Sequence, residues 1–179
     1  MWQKLNRLYP PQLELLSLVL LFFAFYMAVT AYPTLPDTIP THFGAGGKPD
    51  DWGGKGGIFL SPGVGLGVFL LMTGITVAFA LVKDPRSLIN LPVDKKAVIT
   101  VERAEAVRRL MSRSLFVLKA VILGMCLYLT NATIRLAEGK SDTLGVEFWF
   151  FISGIFVVVV YMLVNALRLL ASPGKPKRG

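Results

Sequence analysis

The sequence is short of cysteine, histidine and charged side chains. Cys126 is the single cysteine, so no disulfide can form within the chain and cysteine usage does not constrain the redox compartment. His42 is the single histidine, which leaves one imidazole for any catalytic or zinc-binding scheme. Charged residues make up 17%, where soluble domains have about 25%, and hydrophobic residues make up 54%. This composition indicates a membrane protein rather than a soluble enzyme.

Four long apolar runs account for most of the hydrophobic residues. They are Leu13–Tyr32, Phe59–Val82, Ser114–Ile134 and Glu147–Leu170. Each has the roughly 20 residues that cross about 30 Å of hydrocarbon at about 1.5 Å per residue. Because an unpaired backbone amide is very costly in lipid, we expect every run to be helical. The predicted fold is an all-α integral membrane protein with four transmembrane helices.

The segments between the runs differ in lysine and arginine content. These residues cluster between the second and third runs and near both termini, whereas residues 33–58 and 135–146 carry two each. Lysine and arginine are retained on the cytoplasmic side, so we predict a multi-pass protein of the cytoplasmic (inner) membrane with both termini inside. The net charge of +8 then indicates contact with anionic lipid headgroups rather than direct nucleic acid binding.

The first run has features of a secretory signal peptide, because basic residues precede it and Val29-Thr30-Ala31 is a plausible cleavage site. The run is longer than the usual signal core of about 7–15 residues. Cleavage would also leave an odd number of spans. We therefore interpret it as a transmembrane helix.

The middles of the four runs contain no ionisable residue, whereas transporters and proton pumps usually carry one there. Glu14 lies at the cytoplasmic end of the first run. Lys119 lies little more than a turn inside the third and is expected to snorkel to the interface. Coupled ion transport is therefore not predicted.

Small residues in the second run predict close helix packing. Gly63 and Gly67 form a GxxxG pair, and Gly74 lies further along the same run. Close van der Waals contact replaces the hydrophobic effect between helices in lipid. The partner helix is either in this chain or in another copy, which leaves a homo-oligomer open.

The segment 94–113 has the periodicity of an amphipathic helix. Its apolar residues recur at steps of three and four: Ala97, Val98, Val101, Ala104, Val107, Leu110 and Met111. Pro92 and Asp94 supply a plausible start, and Glu105 with Arg109 forms a favourable i,i+4 pair. We predict a cytoplasmic amphipathic helix that lies on the membrane or runs into the third span. A docking surface for a cytosolic partner is the alternative.

The predicted outer segment 33–58 combines four prolines with seven glycines. Proline fixes φ and glycine permits positive φ, so we expect successive turns that form an ordered extracytoplasmic cap. The candidate recognition residues in this cap are Asp37, Pro40, His42, Phe43 and Trp52.

A metal site can be drawn from His42 with Asp37 and Asp50, but the spacing matches no established ligand pattern. We therefore predict no metal, no cofactor and no catalytic residue. A metal-dependent membrane enzyme that uses His42 stays as a minor alternative.

One stretch of the cap resembles a known signature. It reads Tyr32-Pro33-x-Leu35-Pro36-Asp37-x-Ile39-Pro40-Thr41-His42-Phe43, followed by Gly47, Asp50, Trp52 and Lys55. This pattern resembles the SdpI-related bacterial membrane proteins, over roughly residues 13–70. The resemblance implies a membrane domain in which the signature links two spans. The best-known members of that family are immunity proteins against a secreted peptide toxin, and they also recruit a transcriptional autorepressor to the membrane.

The resemblance suggests a division of the chain into an SdpI-like membrane domain (1–82), a basic amphipathic segment (83–113), a second helical pair (114–170) and a basic tail (171–179). The predicted function is non-catalytic recognition, immunity or signalling at the cell envelope through the outer cap, with a peptide or membrane-protein partner. The alternative is an accessory subunit of a larger membrane complex.

The predicted topology can be tested by labelling introduced thiols in a Cys126→Ser background. A charged maleimide does not cross the membrane, so it should label His42→Cys in intact cells and Ser87→Cys only after lysis. Labelling of His42→Cys only after lysis would show that the topology is inverted.

Overall fold

The computed structural model describes residues 6–90 and 99–171. Its long helices and strands are α1 (Glu14–Ala31), β1 (Thr38–Phe43), β2 (Pro49–Gly54), α2 (Leu60–Leu81), α3 (Val101–Ala137) and α4 (Glu147–Ala171). Short 3₁₀ helices occupy Pro11–Leu13, Lys55–Phe59 and Pro85–Leu88.

Within the described residues, four helical segments are long and apolar enough to cross a membrane: Pro11–Ala31, Lys55–Leu81, Val101–Ala137 and Glu147–Ala171. They coincide with the four apolar runs, so the prediction of four such helices is confirmed by length and composition. Together they indicate a multi-pass membrane protein.

The all-α prediction is wrong for the segment between α1 and α2. Strands β1 and β2 pair there as an antiparallel hairpin, where successive turns were expected. Thr38, Ile39 and Thr41 are β-branched and favour the extended chain. Proline is tolerated because both strands of a two-stranded sheet are edge strands. The number of prolines and glycines alone therefore led to a prediction of turns where the segment forms two paired strands.

The amphipathic helix and the third span form one continuous helix. Helix α3 has 37 residues, which corresponds to about 55 Å and exceeds the roughly 30 Å of hydrocarbon. Ala104 and Val107 from the predicted apolar face are buried. Glu105 lies 3.8 Å from Arg109 and also pairs with Arg108. The predicted start at Pro92 and Asp94, with Ala97 and Val98, lies outside the described residues.

The chain divides into two compact units. One, which we call the hairpin unit, comprises Glu14–Leu71 and Lys119–Phe156. The other, the basic unit, comprises the described residues within 1–13, 72–118 and 157–179. Each unit takes segments from several helices.

Close packing in the hairpin unit joins α2 to α3. A Cβ atom added at Gly65 would lie 3.3 Å from Leu123 Cδ2 and 3.4 Å from Cys126 Cβ, so a larger residue would require these neighbours to shift. Ser61 Oγ donates a hydrogen bond to the Cys126 carbonyl at 3.0 Å. Cys126 is buried in this contact.

The glycine of α2 that packs closely against another helix is not one of the three that the sequence analysis selected. Gly63, Gly67 and Gly74 lie on an exposed face of α2, and in the described part of the chain no atom comes within 4 Å of a Cβ built on any of them. The close approach to α3 is made at Gly65. A partner helix for the other three stays a prediction.

In the basic unit, arginines from α3 hydrogen-bond backbone carbonyls of other segments. Arg108 Nη1 donates to the carbonyls of Phe79 and Val82, each at 3.0 Å. The last carbonyls of a helix have no partner within it, so Arg108 acts as a cap on the end of α2. Arg113 Nε donates to the Leu8 carbonyl at 3.2 Å.

Gly65→Val should lower stability by about 1–3 kcal/mol, because added methyl groups overpack the contact with Leu123 and Cys126. Gly63→Val is the matched control, and its free energy of unfolding should change far less. Thermal unfolding in detergent, followed by circular dichroism, measures both. Equal losses for the two variants would contradict the assigned contact.

Candidate functional site

The hairpin is the most distinctive feature of the segment that links α1 and α2. Its register pairs Ile39 with Gly53, Pro40 with Trp52 and His42 with Asp51. The register shifts on both sides of His42, which marks an irregularity of the β-bulge type. Such bulges change the direction in which a side chain points.

The hairpin is fixed to the helices of its unit. Leu35, Ile39 and Ile58 are buried in a cluster with Ala28 of α1. The cluster also receives the partly buried residues Ala31, Phe59, Ile134 and Ala137. Ile39 is 0% exposed, and truncating a buried side chain of this size typically costs about 2–5 kcal/mol. The hairpin is therefore a packed element with a defined position on the helix ends.

The hairpin turn also contacts the loop between α3 and α4. The Leu144 amide donates to the Gly47 carbonyl at 2.9 Å. Gly47 has φ 71°, a conformation that favours glycine. Leu144 is buried with Ala132 and Leu136, and Phe43 of β1 packs against this cluster. Both connecting segments at this end of the helices therefore form one structure.

The hairpin also exposes a histidine–aspartate pair. His42 Nδ1 lies 2.6 Å from Asp50 Oδ1, and the two side chains are 69% and 50% exposed. An ionised carboxylate can only accept, so Nδ1 carries the proton in this contact. In the neutral ring this leaves the Nε2 lone pair available to a ligand. Trp52, the cross-strand partner of Pro40, is 53% exposed.

A second ion pair lies at the base of the hairpin. Lys55 Nζ is 3.1 Å from Asp37 Oδ1 and 5.5 Å from the centroid of the Tyr32 ring. The Lys55 amide also donates to the Asp37 carbonyl at 2.9 Å. Because the pair is solvated, we expect it to contribute less than about 1 kcal/mol. Its main effect is to close the hairpin where the strands meet the helices.

The five predicted recognition residues therefore have different surroundings. Pro40 is buried and Phe43 packs against the Leu144 cluster, so both hold the hairpin in place. Asp37 forms an ion pair with Lys55. His42 and Trp52 are exposed, and the structure adds Asp50 to them.

The carboxylates near His42 do not gather around it as metal ligands. Asp50 contacts the ring, but Asp37 pairs with Lys55 and Asp51 Oδ1 accepts from the Trp52 amide at 2.9 Å. Across the residues with assigned positions, no group of three or more histidine, cysteine, aspartate or glutamate side chains could hold a metal ion.

A small cavity of about 180 Å³ lies beside the Leu144 loop. Its polar lining includes Tyr128, Asn131, Arg135 and Glu147. The Tyr128 hydroxyl lies 3.4 Å from Glu147 Oε2 and can donate a weak hydrogen bond to it. A polar group on a ligand of the hairpin would find donors and acceptors here.

Sequence reasoning missed the most deeply buried charge. Lys119 was expected to snorkel, yet it is 1% exposed, and its Nζ lies 2.6 Å from both carboxylate oxygens of Glu14. The ammonium also lies 5.2 Å from the Phe69 ring centroid, within cation–π range. The pair joins the start of α1 to α3. The sequence feature that could have indicated this ion pair is the presence of one acidic and one basic residue, each near the end of an apolar run.

Comparison with known proteins finds matches to part of the chain, and none of them names a function. Residues 19–66 match the family described as "Domain of unknown function (DUF1648)". This range runs from α1 through the hairpin into α2. An "Uncharacterized protein" of Archaeoglobus fulgidus is 35% identical over 82 residues, which cover 45% of this chain and 43% of that protein. The match thus spans less than half the length of this curated relative. No solved structure matches the chain.

Removing one member of the Glu14–Lys119 pair should destabilise the protein by about 3–5 kcal/mol, because the remaining charge stays largely inside the protein and loses this counter-charge. Lys119→Met and Glu14→Gln should each lower the unfolding temperature in detergent, and the double variant should recover much of the loss.

The exposed pair Glu138–Lys140 supplies the control, since Lys140→Met should cost less than about 1 kcal/mol. If the two single losses simply added in the double variant, Glu14 and Lys119 would not be coupled.

Proposed function

We propose that the protein is a non-catalytic, multi-pass protein of the cytoplasmic membrane that recognises a peptide at the outer surface through its hairpin. The termini and the segment 83–113 lie in the cytoplasm, and the hairpin faces outward. The role is recognition in immunity or signalling at the cell envelope.

The observation that carries this proposal is that the hairpin combines buried residues, which anchor it, with exposed residues, which it displays. Ile39 and Pro40 are buried, whereas His42, Asp50 and Trp52 are exposed on a backbone fixed by that burial. Pre-organised side chains lose little entropy on binding. Aromatic residues on such surfaces often dominate binding energy.

The chemistry of the exposed residues favours a peptide. Trp52 offers an apolar face, the Asp50 carboxylate accepts hydrogen bonds, and the imidazole of His42 offers a second polar contact. Two-stranded hairpins also leave backbone groups on both edges, to which an extended peptide can add a strand. The resemblance to SdpI-related proteins, whose best-known members counter a secreted peptide toxin, points in the same direction. The family match over residues 19–66 is centred on this hairpin.

An accessory subunit of a larger membrane complex is the second candidate. Exposed Gly63, Gly67 and Gly74 would let a helix of another subunit approach α2 closely. Helix α4 has no buried residue within the described part of the chain. Both surfaces would be covered by a partner in this second function.

Peptide recognition is tested by capture from a concentrated secreted-peptide fraction of the host culture. The full-length protein, held in nanodiscs, should retain a peptide that mass spectrometry identifies. Trp52→Ala should weaken binding of that peptide by about 30-fold, the effect of losing roughly 2 kcal/mol at an aromatic hot spot. His42→Ala should also weaken it.

Trp149→Ala is the matched control, because Trp149 is 50% exposed, close to the 53% of Trp52, but lies on α4. The affinity of the Trp149→Ala variant for the peptide should equal that of the unmodified protein. Two results together would contradict peptide recognition: the unmodified protein retains no peptide, and both tryptophan variants still co-purify with a stoichiometric membrane protein. They would favour a role as an accessory subunit.

A further inference from the structure

A groove of about 510 Å³ runs between α3 and α4 in the basic unit. Its volume lies within the range of roughly 300–1,000 Å³ found for small-molecule sites. On α3 the lining residues recur at helical spacing, from Ala106 through Leu110 and Ser114 to Val117. Val157, Val158 and Tyr161 of α4 form the other wall.

The groove is apolar at one end and charged at the other. Val117, Val157 and Val158 lie where both helices are continuously apolar, and Val117 and Val157 are exposed rather than packed. Arg109 and Arg113 line the end nearer the start of α3. Ser114 begins the third apolar run, so the arginines lie at the membrane edge and Val117 lies inside it.

The two arginines retain hydrogen-bonding capacity. A guanidinium carries five N–H donors. Arg113 uses its Nε on the Leu8 carbonyl. Arg109 Nη1 is 3.8 Å from Glu105 Oε1, beyond hydrogen-bond length. Donors on both side chains can therefore bind oxygens of a phosphate in the bidentate manner that arginine favours.

We propose that this groove binds one anionic phospholipid, with the phosphate on Arg109 and Arg113 and an acyl chain along Val117, Val157 and Val158. The two ends of the groove complement the two ends of a lipid. The arginines at the membrane edge face the anionic headgroup, and the valines face the hydrocarbon toward the interior. Tyr161 stands on the wall between the two, with an apolar ring and a polar hydroxyl. This site is distinct from the hairpin.

Other occupants fit the groove less well. The last residues of the chain include Lys175, Lys177 and Arg178, whose charges repel the two arginines. A second apolar helix would fill the valine end but would offer no acceptor to the remaining N–H donors of the two arginines. A soluble phosphate would satisfy the arginines but would leave the apolar walls uncovered.

Native mass spectrometry of the delipidated full-length protein tests the proposal. Phosphatidylglycerol and phosphatidylcholine with identical acyl chains are titrated separately, and phosphatidylglycerol should bind more tightly at one site. Arg109→Gln with Arg113→Gln should weaken phosphatidylglycerol binding by about 30-fold. This follows from about 1 kcal/mol for each arginine, with about 1.4 kcal/mol for a factor of ten.

A matched double variant, Arg103→Gln with Arg135→Gln, removes the same charge from residues that do not line the groove and should change the affinity much less. Val117→Trp keeps both arginines but fills the apolar end at an exposed position, so it should weaken binding of both lipids. Circular dichroism confirms that each variant folds.

Equal affinity for the two lipids, or equal losses in the two double variants, would overturn the proposal. Competition by soluble glycerol phosphate together with unchanged binding to Val117→Trp would also overturn it, because the site would then bind a free anion rather than a lipid.

Discussion

The burial of Ile39 against the end of α1 is the contact on which the candidate site depends. Ile39 and Leu35 pack with Ala28 and Ile58, so the hairpin, α1 and the segment leading into α2 share one small core. Burial of Ile39 and Pro40 fixes the backbone of the hairpin, and the same backbone carries the exposed residues. The exposed pair of His42 and Asp50 gains its position from this core.

A second constraint comes from lipid, which offers no hydrogen-bonding partner to a polar group. Lys119 and Glu14 therefore meet inside the protein. Thr130 similarly bonds the Cys126 carbonyl one turn earlier. Each contact keeps a polar group within the protein, while valine, leucine and phenylalanine side chains remain on exposed faces. This arrangement is the reverse of that in a soluble domain.

Length and composition predicted the four long helices because a bilayer admits few alternatives. The hairpin was harder to predict, since Pro40 and the glycines around it suggest turns, and only pairing with a second strand makes an extended chain stable. The Glu14–Lys119 pair was missed because the partners are 105 residues apart, and opposite charges near the ends of two apolar runs do not show by themselves that the two side chains meet. Gly65 was overlooked for Gly63 and Gly67 because spacing along one helix does not reveal which face meets a neighbour.

Hydrogen exchange of backbone amides in nanodiscs tests the anchored hairpin most directly. The amides of Gly44, Lys55 and Leu144 donate to the carbonyls of Lys48, Asp37 and Gly47. They should exchange far more slowly than those of Ala45 and Gly46, which lie in the exposed turn. Exchange of all five amides at the rate of an unstructured peptide would show that the hairpin is not fixed to the helices, and would contradict the account.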